Sequence, residues 1–562
     1  MRLRTLLPIT LGASALAARP NIVLIITDDQ DARTDTISFM PNVQNLVAGQ
    51  GATFDRFHAP VSLCCPSRVS LLTGQFAHNH NVTFVQGPFG GYPVFCENGY
   101  NGASLPDFLQ QAGYATYYIG KLMNGFDAET QVECPAKGWT SADFLVEPNA
   151  YLYYNASFSA NGGPVVNFLG DYQVEVIQQK ATSLLETAIS GLKDDDTPFF
   201  LGLAPTAPHM EVQFNQSFTE PLPPPGDVDL FDGVPVPKNP NFNVQGGVSW
   251  LKSLPELNET VVEYLDHVYR QRLRALQSVD ALVESVVQQL EEAGIADNTY
   301  IIYVGDNGYA LGSHRRQPGK SLPFQEDALV PFMIRGPGIP ANSTNHDIYS
   351  MPDLAVTILD VAGASASYQV DGRVISFDQN APQQDAGRAT QTIVEYWNVA
   401  PDEGKYGASI VNLAGIHLNS TYRSIQVIDG DEHDWVYGVW CTGERELYDL
   451  KTDPWQIDNL AVNDDSGFDS FTFSTPSQTQ LATRLDALLI VLKTCVGEVC
   501  RDPWKAIFPS GSVTSLSESL SSDFDDYFAS LPRFRYEVCQ LGYFENLESP
   551  RWNETLAFGG SA

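Results

Sequence analysis

Positive charge is scarce in this chain of 562 residues. Lysine and arginine number 32 against 67 aspartates and glutamates, which gives a net charge of -35 and an isoelectric point near 4.4. Coulomb repulsion at this charge argues against nucleic acid or an anionic membrane as a partner. An anionic substrate would meet the same repulsion, so its site has to be locally positive. The general explanation of the negative charge is that it keeps the protein soluble in an acidic medium.

Long apolar segments are also lacking, apart from one in the first 18 residues. That stretch has a basic start, a short apolar middle and an alanine-rich end, as secretory signal peptides have, and is too short to span a bilayer. No other stretch is a transmembrane candidate. The chain is 43% hydrophobic and 18% charged, which is typical of a globular protein. We expect a soluble, exported protein with one large domain and a smaller one.

Glycosylation triplets of the form Asn-x-Ser/Thr support export, because they are modified only in the secretory pathway. One of the seven, at Asn81, lies close to the motif described below and is set aside. The other six are candidate glycosylation sites, at Asn155, Asn215, Asn258, Asn342, Asn419 and Asn553.

Continuous apolar, mostly β-branched runs predict four buried strands. They are residues 21–27, 198–204, 299–305 and 330–336. Most are separated by helical segments, which predicts an α/β fold with a large, mostly parallel or mixed sheet flanked by helices. A further strand-like run, residues 114–119, leads to Gly120 and Lys121.

Polar residues follow three of these strands. Asp28 and Asp29 follow the first, His209 lies beyond the second, and Asp306 and Asn307 end the third. An Asp-Asp pair alone usually marks a solvated turn, but here one sheet edge would gather all five residues. Ligands bind at that edge in open α/β sheets, and hard oxygen ligands suit calcium or magnesium.

The rest of the chain divides into helical, irregular and C-terminal parts. Helices are predicted at residues 105–112, 173–192, 256–294 and 351–363. Residues 128–165 predict loops near the cleft. Beyond a Gln-, Asp- and Ala-rich join at residues 378–388, strand-like runs predict an antiparallel sheet with a terminal helix. The expected division is a signal peptide at 1–18, a main α/β domain at 19–385 and a smaller α+β domain at 386–562.

The stretch from Leu63 to Gly74 reads Leu-Cys-Cys-Pro-Ser-Arg-Val-Ser-Leu-Leu-Thr-Gly. It places the Cys64 thiol four residues before Arg68, at the predicted start of a helix. Unpaired backbone N–H groups and the helix dipole favour an anion there. The alternative is that Cys64 and Cys65 are buried or disulfide-bonded cysteines, since cysteine packs like a small hydrophobe.

Two histidines, His78 and His80, follow this stretch. Residues at i and i+2 do not share a helix face, which argues against a zinc site on this pair alone. One imidazole could point toward a substrate and the other toward the packing, which makes His80 a candidate substrate-binding residue.

In order and spacing, Cys64 to Gly74 resembles the signature Cys-x-Pro-Ser-Arg followed by Thr-Gly of the sulfatases, a family of the alkaline phosphatase superfamily. Further matches cover most of the chain, at Asp28-Asp29, Gly120-Lys121, Pro208-His209, Asp306-Asn307-Gly308, Lys320 and Leu447-Tyr448-Asp449-Leu450. The resemblance implies a catalytic domain at 19–385. It also implies that a formylglycine-generating enzyme oxidises Cys64 to formylglycine, whose hydrated aldehyde is the nucleophile.

The resemblance implies a role for each matching position. Arg68 would fix the formylglycine hydrate, while Lys121 and Lys320 would bind and neutralise the sulfate. His209 would protonate the leaving oxygen, alone or with Lys320. One hydroxyl of the hydrate would attack sulfur, and the second would then lose its proton so that sulfate is ejected. One calcium ion would bind the formylglycine at position 64 and be held by Asp28, Asp29, Asp306 and Asn307.

One position departs from the pattern. Many arylsulfatases carry histidine two residues after the lysine matched to Lys121, and this chain has Met123. The candidates for the role of that histidine, which helps to deprotonate the hydrate, are His78, His80 and His314.

The cysteine count fits the same assignment. With Cys64 oxidised and Cys65 a buried thiol, six of the eight cysteines remain, an even number that suits disulfides in an oxidising compartment. Cys495 and Cys500 are close enough in sequence for a small loop. The other pairings stay open.

The substrate also stays open. The doubled cysteine and the run from His78 to Val82 resemble the N-acetylglucosamine-6-sulfatase branch, whereas similar secreted chains are commonly classed as arylsulfatases. We expect a secreted calcium-dependent sulfatase for aryl sulfates, with an N-acetylglucosamine-6-O-sulfatase for sulfated glycans as the alternative. A phosphatase of the superfamily would need more metal ligands and a Ser or Thr nucleophile. An unmodified Cys64 would leave a non-catalytic, glycan-binding protein.

Overall fold

The computed structural model describes residues 19–377, 390–407, 416–417, 419–463 and 467–552. The signal peptide at 1–18, the join at 378–388 with the expected domain boundary, and Asn553 lie outside the described residues. Within the described residues, no helix is both long enough and apolar enough to cross a membrane.

A ten-stranded mixed sheet forms the larger part of the protein. Its strands in chain order are β1 (Asn21–Thr27), β2 (Ala52–Phe54), β3 (Ala115–Gly120), β4 (Ser141–Leu145), β5 (Asn155–Ala160), β6 (Val166–Leu169), β7 (Phe199–Ala204), β8 (Thr299–Gly305), β9 (Phe332–Arg335) and β10 (Ser343–Asn345). Their order across the sheet is β10-β2-β9-β8-β1-β7-β3-β4-β5-β6. The central strands β8, β1, β7, β3 and β4 are mutually parallel. The α/β class with a mixed sheet is confirmed.

One detail of the prediction is wrong. Residues 128–165 are not loops alone, because they include β4 and β5, which extend the sheet beyond β3. The fourth predicted strand, β9, runs antiparallel to β8. Strand pairing depends on a partner that is distant in sequence, so neither the added strands nor this direction is visible in local composition.

Within the described residues, six helices of seven or more residues pack on the ten-stranded sheet or lie in the C-terminal part. They are α1 (Cys64–Thr73), α2 (Leu105–Gln111), α3 (Gln173–Asp195), α4 (Glu259–Glu292), α5 (Met351–Ala362) and α6 (Pro476–Leu492). A seventh of this length, Gly91–Glu97, follows α1. Side chains alternate along β1, so that Ile22 and Leu24 pack with α1, α2 and α5, while Val23 and Ile25 pack with α3 and α4. The sheet is therefore covered on both faces, as the continuous apolar runs predict.

Shorter elements complete the larger part. Helical turns occur at Thr36–Phe39, Val43–Ala48 (π-helical), Ala77–His80, Thr130–Glu133, Asn149–Tyr151, Ser249–Lys252, Ala296–Asn298 and Gln325–Ala328. Two-residue strands pair Phe57–His58 with Tyr349–Ser350 and Glu211–Val212 with Phe218–Thr219. Residues 221–248, which are rich in proline, hold no helix or strand.

The C-terminal part is a four-stranded antiparallel sheet packed on α6. Its strands follow the order β11 (Gln391–Tyr396), β12 (Tyr422–Asp429), β13 (His433–Trp440) and β14 (Arg445–Asp449). Short strands pair Ala400–Pro401 with Ile416–His417 and Arg535–Tyr536 with Glu548–Ser549. Short helices lie at Gly467–Asp469, Glu498–Arg501, Pro503–Ile507, Leu516–Ser519, Ser522–Phe524, Asp525–Ser530 and Glu545–Leu547. The predicted antiparallel sheet is confirmed.

Six cysteines form disulfides, as the count predicts. The pairs are Cys96–Cys134, Cys441–Cys539 and Cys495–Cys500. Cys64 and Cys65 are free and buried. Cys65 is the second residue of α1 and its side chain packs in the apolar core, which matches its interpretation as a packed thiol.

Candidate active site

Four neighbouring parallel strands deliver polar residues to one edge of the sheet. Asp28 and Asp29 directly follow β1, Asp306 follows β8, Lys121 follows β3, and the chain after β7 turns to His209. Because the carboxyl ends of parallel strands meet at one edge, these side chains become neighbours. Every one of them is buried, with at most 4% of its surface exposed.

The carboxylate groups are held together by backbone and amide donors. Asp29 has a φ of 64°, and its backbone N–H donates to Asp306 Oδ1 over 3.0 Å. The Asn307 backbone N–H donates to the same oxygen over 2.8 Å, and its side-chain amide donates to Asp29 Oδ1 over 2.8 Å. Three buried oxygens nearby accept no hydrogen bond: Asp28 Oδ1, Asp29 Oδ2 and Asn307 Oδ1. These oxygens are candidate ligands of a hard cation.

Three cations surround this acidic group. Lys121 Nζ lies 2.6 Å from Asp28 Oδ2, and Lys320 Nζ contacts Asp29 Oδ1. Arg68 donates from Nε to Asp306 Oδ2 and from Nη1 to the Lys121 carbonyl, both over 2.7 Å. Three positive charges thus face the three carboxylates of Asp28, Asp29 and Asp306, so the site is close to electrically neutral in a strongly acidic protein.

Cys64 is the first residue of α1 and faces these groups. Its Sγ lies 3.1 Å from Lys320 Nζ and 3.7 Å from Asp29 Oδ1. Burial and the neighbouring Asp28 carboxylate raise the pKa of the Cys64 thiol well above its ordinary value. The unmodified side chain is thus a protonated thiol and a weak nucleophile.

Burial and the charges of neighbouring side chains together set the protonation states of Asp28, Asp306 and Lys320. Burial alone would raise the pKa of Asp28, but Lys121, His209 and Arg68 hold it below its ordinary value. Burial and the Asp28 charge raise the pKa of Asp306 to about 6, against the pull of Arg68. Burial opposes the charge of Lys320, yet Asp29 keeps the pKa of this lysine well above its ordinary value. Both lysines and Arg68 therefore stay charged.

His209 has one committed and one available ring nitrogen. Nδ1 donates to the Met210 carbonyl over 2.5 Å, and Nε2 lies 3.4 Å from Asp29 Oδ2. The imidazole packs on the Tyr151 ring with 4.6 Å between centroids, and Lys121 Nζ lies 4.8 Å from that ring. Burial lowers the pKa of His209 to about 4, although Asp29 opposes this shift.

Arg272 of helix α4 supports the site from behind. Its guanidinium donates to the carbonyls of Asp29 and Pro208, so it ties the ends of two strands together. It also lies 4.5 Å from the Tyr309 ring centroid. The sequence predicts a helix at residues 256–294, but it does not predict the contacts of Arg272 with the strand ends.

A cavity of about 220 Å³ opens above Cys64, His209 and Lys320. Its wall also includes polar residues that the sequence did not single out, among them Asn124, Tyr151 and Glu403. Burial raises the pKa of Glu403 to about 7, against the pull of Lys320. Tyr151 lay in the aromatic stretch expected near the cleft, but no local pattern singled out Glu403.

His80 does not line this cavity. Its Nε2 lies 3.0 Å from Ser70 Oγ, and its Nδ1 accepts the backbone N–H of Val82 over 3.1 Å. His78 bonds to Glu395 and to the Cys495 carbonyl, and His314 packs on Phe324. Neither His78 nor His314 lines the cavity. None of the three candidates for the role of the histidine that Met123 replaces therefore lies in the cavity wall.

This arrangement, on a doubly covered α/β sheet, defines a hydrolase of anionic esters. The sulfatase family matches residues 20–364. An arylsulfatase of Volvox carteri is 35% identical over 97% of this chain and 86% of its own length. An N-acetylglucosamine-6-sulfatase of Homo sapiens is 30% identical over 88% of each chain. The chain therefore belongs to the sulfatase family and is a sulfuric ester hydrolase.

The fold has solved counterparts. One is a protein in complex with its substrate D-glucosamine-2-N,6-O-disulfate, which matches with a TM-score of 0.57 and 23% identity over 79% of this chain and 93% of that chain. At this identity the likeness concerns the fold alone.

Proposed function

We propose that the protein hydrolyses small sulfate monoesters with a formylglycine nucleophile made from Cys64 and with one calcium ion. One observation carries this proposal: Cys64, the first residue of α1, lines a cavity together with Lys320 and His209, and Lys121 and Arg68 bond to the acidic strand ends beside it. A sulfate group bound at this depth would be neutralised in a site with little water, where charge interactions are strong.

The residues present fit a calcium ion. Asp28, Asp29, Asp306 and Asn307 offer hard oxygen ligands only, and three of their buried oxygens have no hydrogen-bond donor. A buried acceptor without a partner costs free energy, and a cation would remove that cost. When bound, calcium supplies positive charge that stabilises the nucleophile and a sulfate oxygen.

The side chains of this chain have distinct tasks in the proposal. Arg68 orients the residue at position 64, since its guanidinium is already fixed by Asp306 and the Lys121 carbonyl. Lys121 and Lys320 neutralise the sulfate. The Nδ1–H of His209 stays bonded to the Met210 carbonyl, so the proton for the leaving oxygen is carried at Nε2 of the imidazolium form, which the Asp29 carboxylate favours. His80 is left out of the substrate-binding set, because both of its ring nitrogens bond within the chain.

The same proposal covers processing and location. Secretion through a signal peptide at 1–18 is supported by the three disulfides, which need an oxidising compartment. A formylglycine-generating enzyme would act on Cys64 before folding, since the folded thiol is buried. Asn215, Asn258, Asn342 and Asn419 are exposed and Asn155 is half-buried, which suits glycosylation. We further propose 19–385 as the catalytic domain and 386–562 as the C-terminal domain.

The substrate is a sulfate ester of an aryl alcohol or of a sugar. The arylsulfatase relative favours the first, and the N-acetylglucosamine-6-sulfatase relative favours the second. The cavity volume of about 220 Å³ lies below the roughly 300–1,000 Å³ of common small-molecule sites, which favours a single ring over a polymer segment.

The test combines a mass measurement with an assay. The peptide containing residue 64 is analysed from secreted protein made in a host that forms formylglycine, and sulfate release is measured from 4-nitrophenyl sulfate and glucosamine 6-sulfate. An aldehyde mass roughly 18 Da below that of the thiol, together with sulfate release, is expected. Cys64→Ala should abolish sulfate release. Cys65→Ala should retain it, because the side chain of Cys65, the next residue of α1, packs in the apolar core. An unmodified cysteine without sulfate release contradicts the proposal and leaves a binding role.

A further inference from the structure

Tyr151 stands in the cavity wall beside His209 and contacts its imidazole directly. The two rings lie 4.6 Å apart between centroids, with 34° between their planes. Tyr151 is only 6% exposed, so most of its surface packs against other side chains of the site rather than facing the cavity. Its effect on the reaction therefore depends on what those neighbours do.

One hydrogen bond does not fix the orientation of the His209 ring. Nδ1 donates to the Met210 carbonyl, but the ring can still tilt, because the torsion that turns an imidazole about its bond to Cβ has broad preferences. Such a tilt would move Nε2, the atom that carries the proton for the leaving oxygen. The face of the Tyr151 ring blocks this motion on one side of the imidazole.

Tyr151 is itself held in place by two contacts. Its hydroxyl accepts a hydrogen bond from the Asn124 amide over 2.6 Å. Lys121 Nζ lies 4.8 Å from the centroid of its ring, a distance at which the ring face attracts a cation. The ring is thus fixed at its hydroxyl and at its face, and it can act as a rigid support.

The same segment of chain also fixes the backbone of His209. The Tyr153 hydroxyl donates to the His209 carbonyl over 2.9 Å, and the His209 backbone N–H donates to the Thr206 carbonyl over 2.8 Å. The backbone of this histidine is therefore held through Tyr153, and its ring through Tyr151.

We infer that Tyr151 is a positioning residue, whose ring holds the His209 imidazole in the orientation in which Nε2 faces the leaving oxygen. This inference rests on the proposed sulfatase function, in which His209 is the proton donor. As the bond from sulfur to the alcohol oxygen breaks, its electron pair stays on that oxygen, which takes the proton from Nε2. The contact with Tyr151 therefore affects the chemical step more than the binding of the substrate.

The experiment varies the ring at position 151 and the leaving group of the substrate. Tyr151→Leu removes the ring, whereas Tyr151→Phe keeps the ring without the hydroxyl. The constants kcat and KM are measured for 4-nitrophenyl sulfate, phenyl sulfate and glucosamine 6-sulfate. Phenolate and a sugar alkoxide are more basic than 4-nitrophenolate, so their departure depends more on the proton.

Tyr151→Leu should lower kcat by about 10-fold on 4-nitrophenyl sulfate and by about 100-fold on the other two esters, with KM changed by less than about 3-fold. Tyr151→Phe should keep kcat within about 3-fold of the wild type on all of them, because the face of the ring is retained.

Tyr154→Leu is the matched control, because Tyr154 belongs to the same segment, packs on Tyr172 and does not line the cavity. It should change neither kcat nor KM. Thermal unfolding of each variant checks folding, and Tyr151→Met provides a second side chain without a ring if Tyr151→Leu does not fold.

Three results would overturn the inference while the sulfatase function stands. They are an equal loss of kcat on both aryl esters, a Tyr151→Phe variant as impaired as Tyr151→Leu, and a rise in KM with unchanged kcat. If the wild type hydrolyses only glucosamine 6-sulfate, the loss of kcat in Tyr151→Leu and its retention in Tyr151→Phe decide the matter on that ester. A wild-type protein that releases sulfate from none of the esters overturns the proposed function as well.

Discussion

Arg68 shows how much of the site depends on one side chain. Its guanidinium joins the end of β8, through Asp306, to the residue after β3, through the Lys121 carbonyl, while its own backbone lies in α1 one turn from Cys64. A planar group with several fixed donors makes both bonds at once. A lysine ammonium at the same position reaches one of the two acceptors, so the charge would remain and the geometry would be lost.

We therefore expect Arg68→Lys to lower kcat/KM for sulfate release by about 100-fold or more. The measurement is steady-state hydrolysis of the preferred sulfate ester. Arg335→Lys, at the opposite edge of the sheet, is the control and should leave kcat/KM unchanged. A variant at position 68 that keeps wild-type activity would show that charge alone suffices there.

Glu446 carries a pH dependence that is independent of the site. It is 2% exposed and accepts hydrogen bonds from Trp440 Nε1 and the Tyr448 hydroxyl, both over 2.8 Å. Burial raises its pKa from 4.5 to about 7. The folded state then binds a proton that the unfolded state releases, so this contribution to stability is complete below pH 4.5 and is lost as the pH rises through about 7.

Glu446→Gln mimics the protonated side chain and removes this titration. Between pH 5 and pH 8, the free energy of unfolding of the wild type should fall by about 2 kcal/mol relative to that of the variant. Urea unfolding at both pH values measures the difference, in which the other titrating groups cancel. Parallel pH profiles for the two proteins would contradict the raised pKa.

At the scale of the element, the ends of the strands depend on close backbone approach. Gly120 ends β3 with a φ of 111°, and a Cβ at this position would overlap the backbone carbonyl of Ala204 in β7. Only glycine combines that φ with that contact. The next residue is Lys121, so the same turn sets the position of a lysine that we propose binds the sulfate.

Gly120→Ala should lower the free energy of unfolding by about 2–4 kcal/mol and reduce sulfate release as Lys121 moves. Gly162→Ala is a matched control, because Gly162 has a φ of 70° but open space around its Cβ position. The control has the backbone strain without the overlap and should retain activity. Chemical unfolding and the sulfate assay measure both effects, and equal behaviour of the two variants would refute the role of the close approach.

At the scale of the whole molecule, the proposed calcium site at the acidic strand ends predicts an effect of calcium on stability. Asp28, Asp29 and Asp306 are fully buried and close together, which is costly without enough positive charge. Binding to the folded state alone stabilises a protein, by about 2.7 kcal/mol at a ligand concentration 100 times the Kd. Chelation with EDTA should therefore lower both the sulfatase activity and the midpoint of thermal unfolding.

Added calcium should restore both quantities, and more effectively than magnesium, because several large, flexible oxygen ligands suit calcium. Asp29→Asn provides the control, since its unfolding midpoint should respond less to EDTA than that of the wild type. If EDTA leaves the wild-type midpoint and activity unchanged, the calcium assignment is wrong.

The sequence by itself determined the elements that depend on neighbouring residues along the chain. The run from Asn21 to Thr27 is apolar at every position but its ends, which specifies a strand covered on both faces. Parallel strands share an edge, so Asp28, Asp29, Asp306 and Asn307 could be brought together without coordinates. The spacing from Cys64 to Arg68 likewise specifies one turn of a helix and its N-terminus.

Only the tertiary structure decided the features that depend on distant partners. Strands β4 and β5 became sheet rather than loop because β3 was available to pair with them. His80 turned to Ser70 rather than to the cavity. Glu403 reached the Cys64 cavity from beyond the main sheet, through a contact with Pro318. The physical reason is that the periodicity of apolar residues is a local property of the sequence. Cavity walls and strand partners depend instead on packing between segments that are far apart in the sequence.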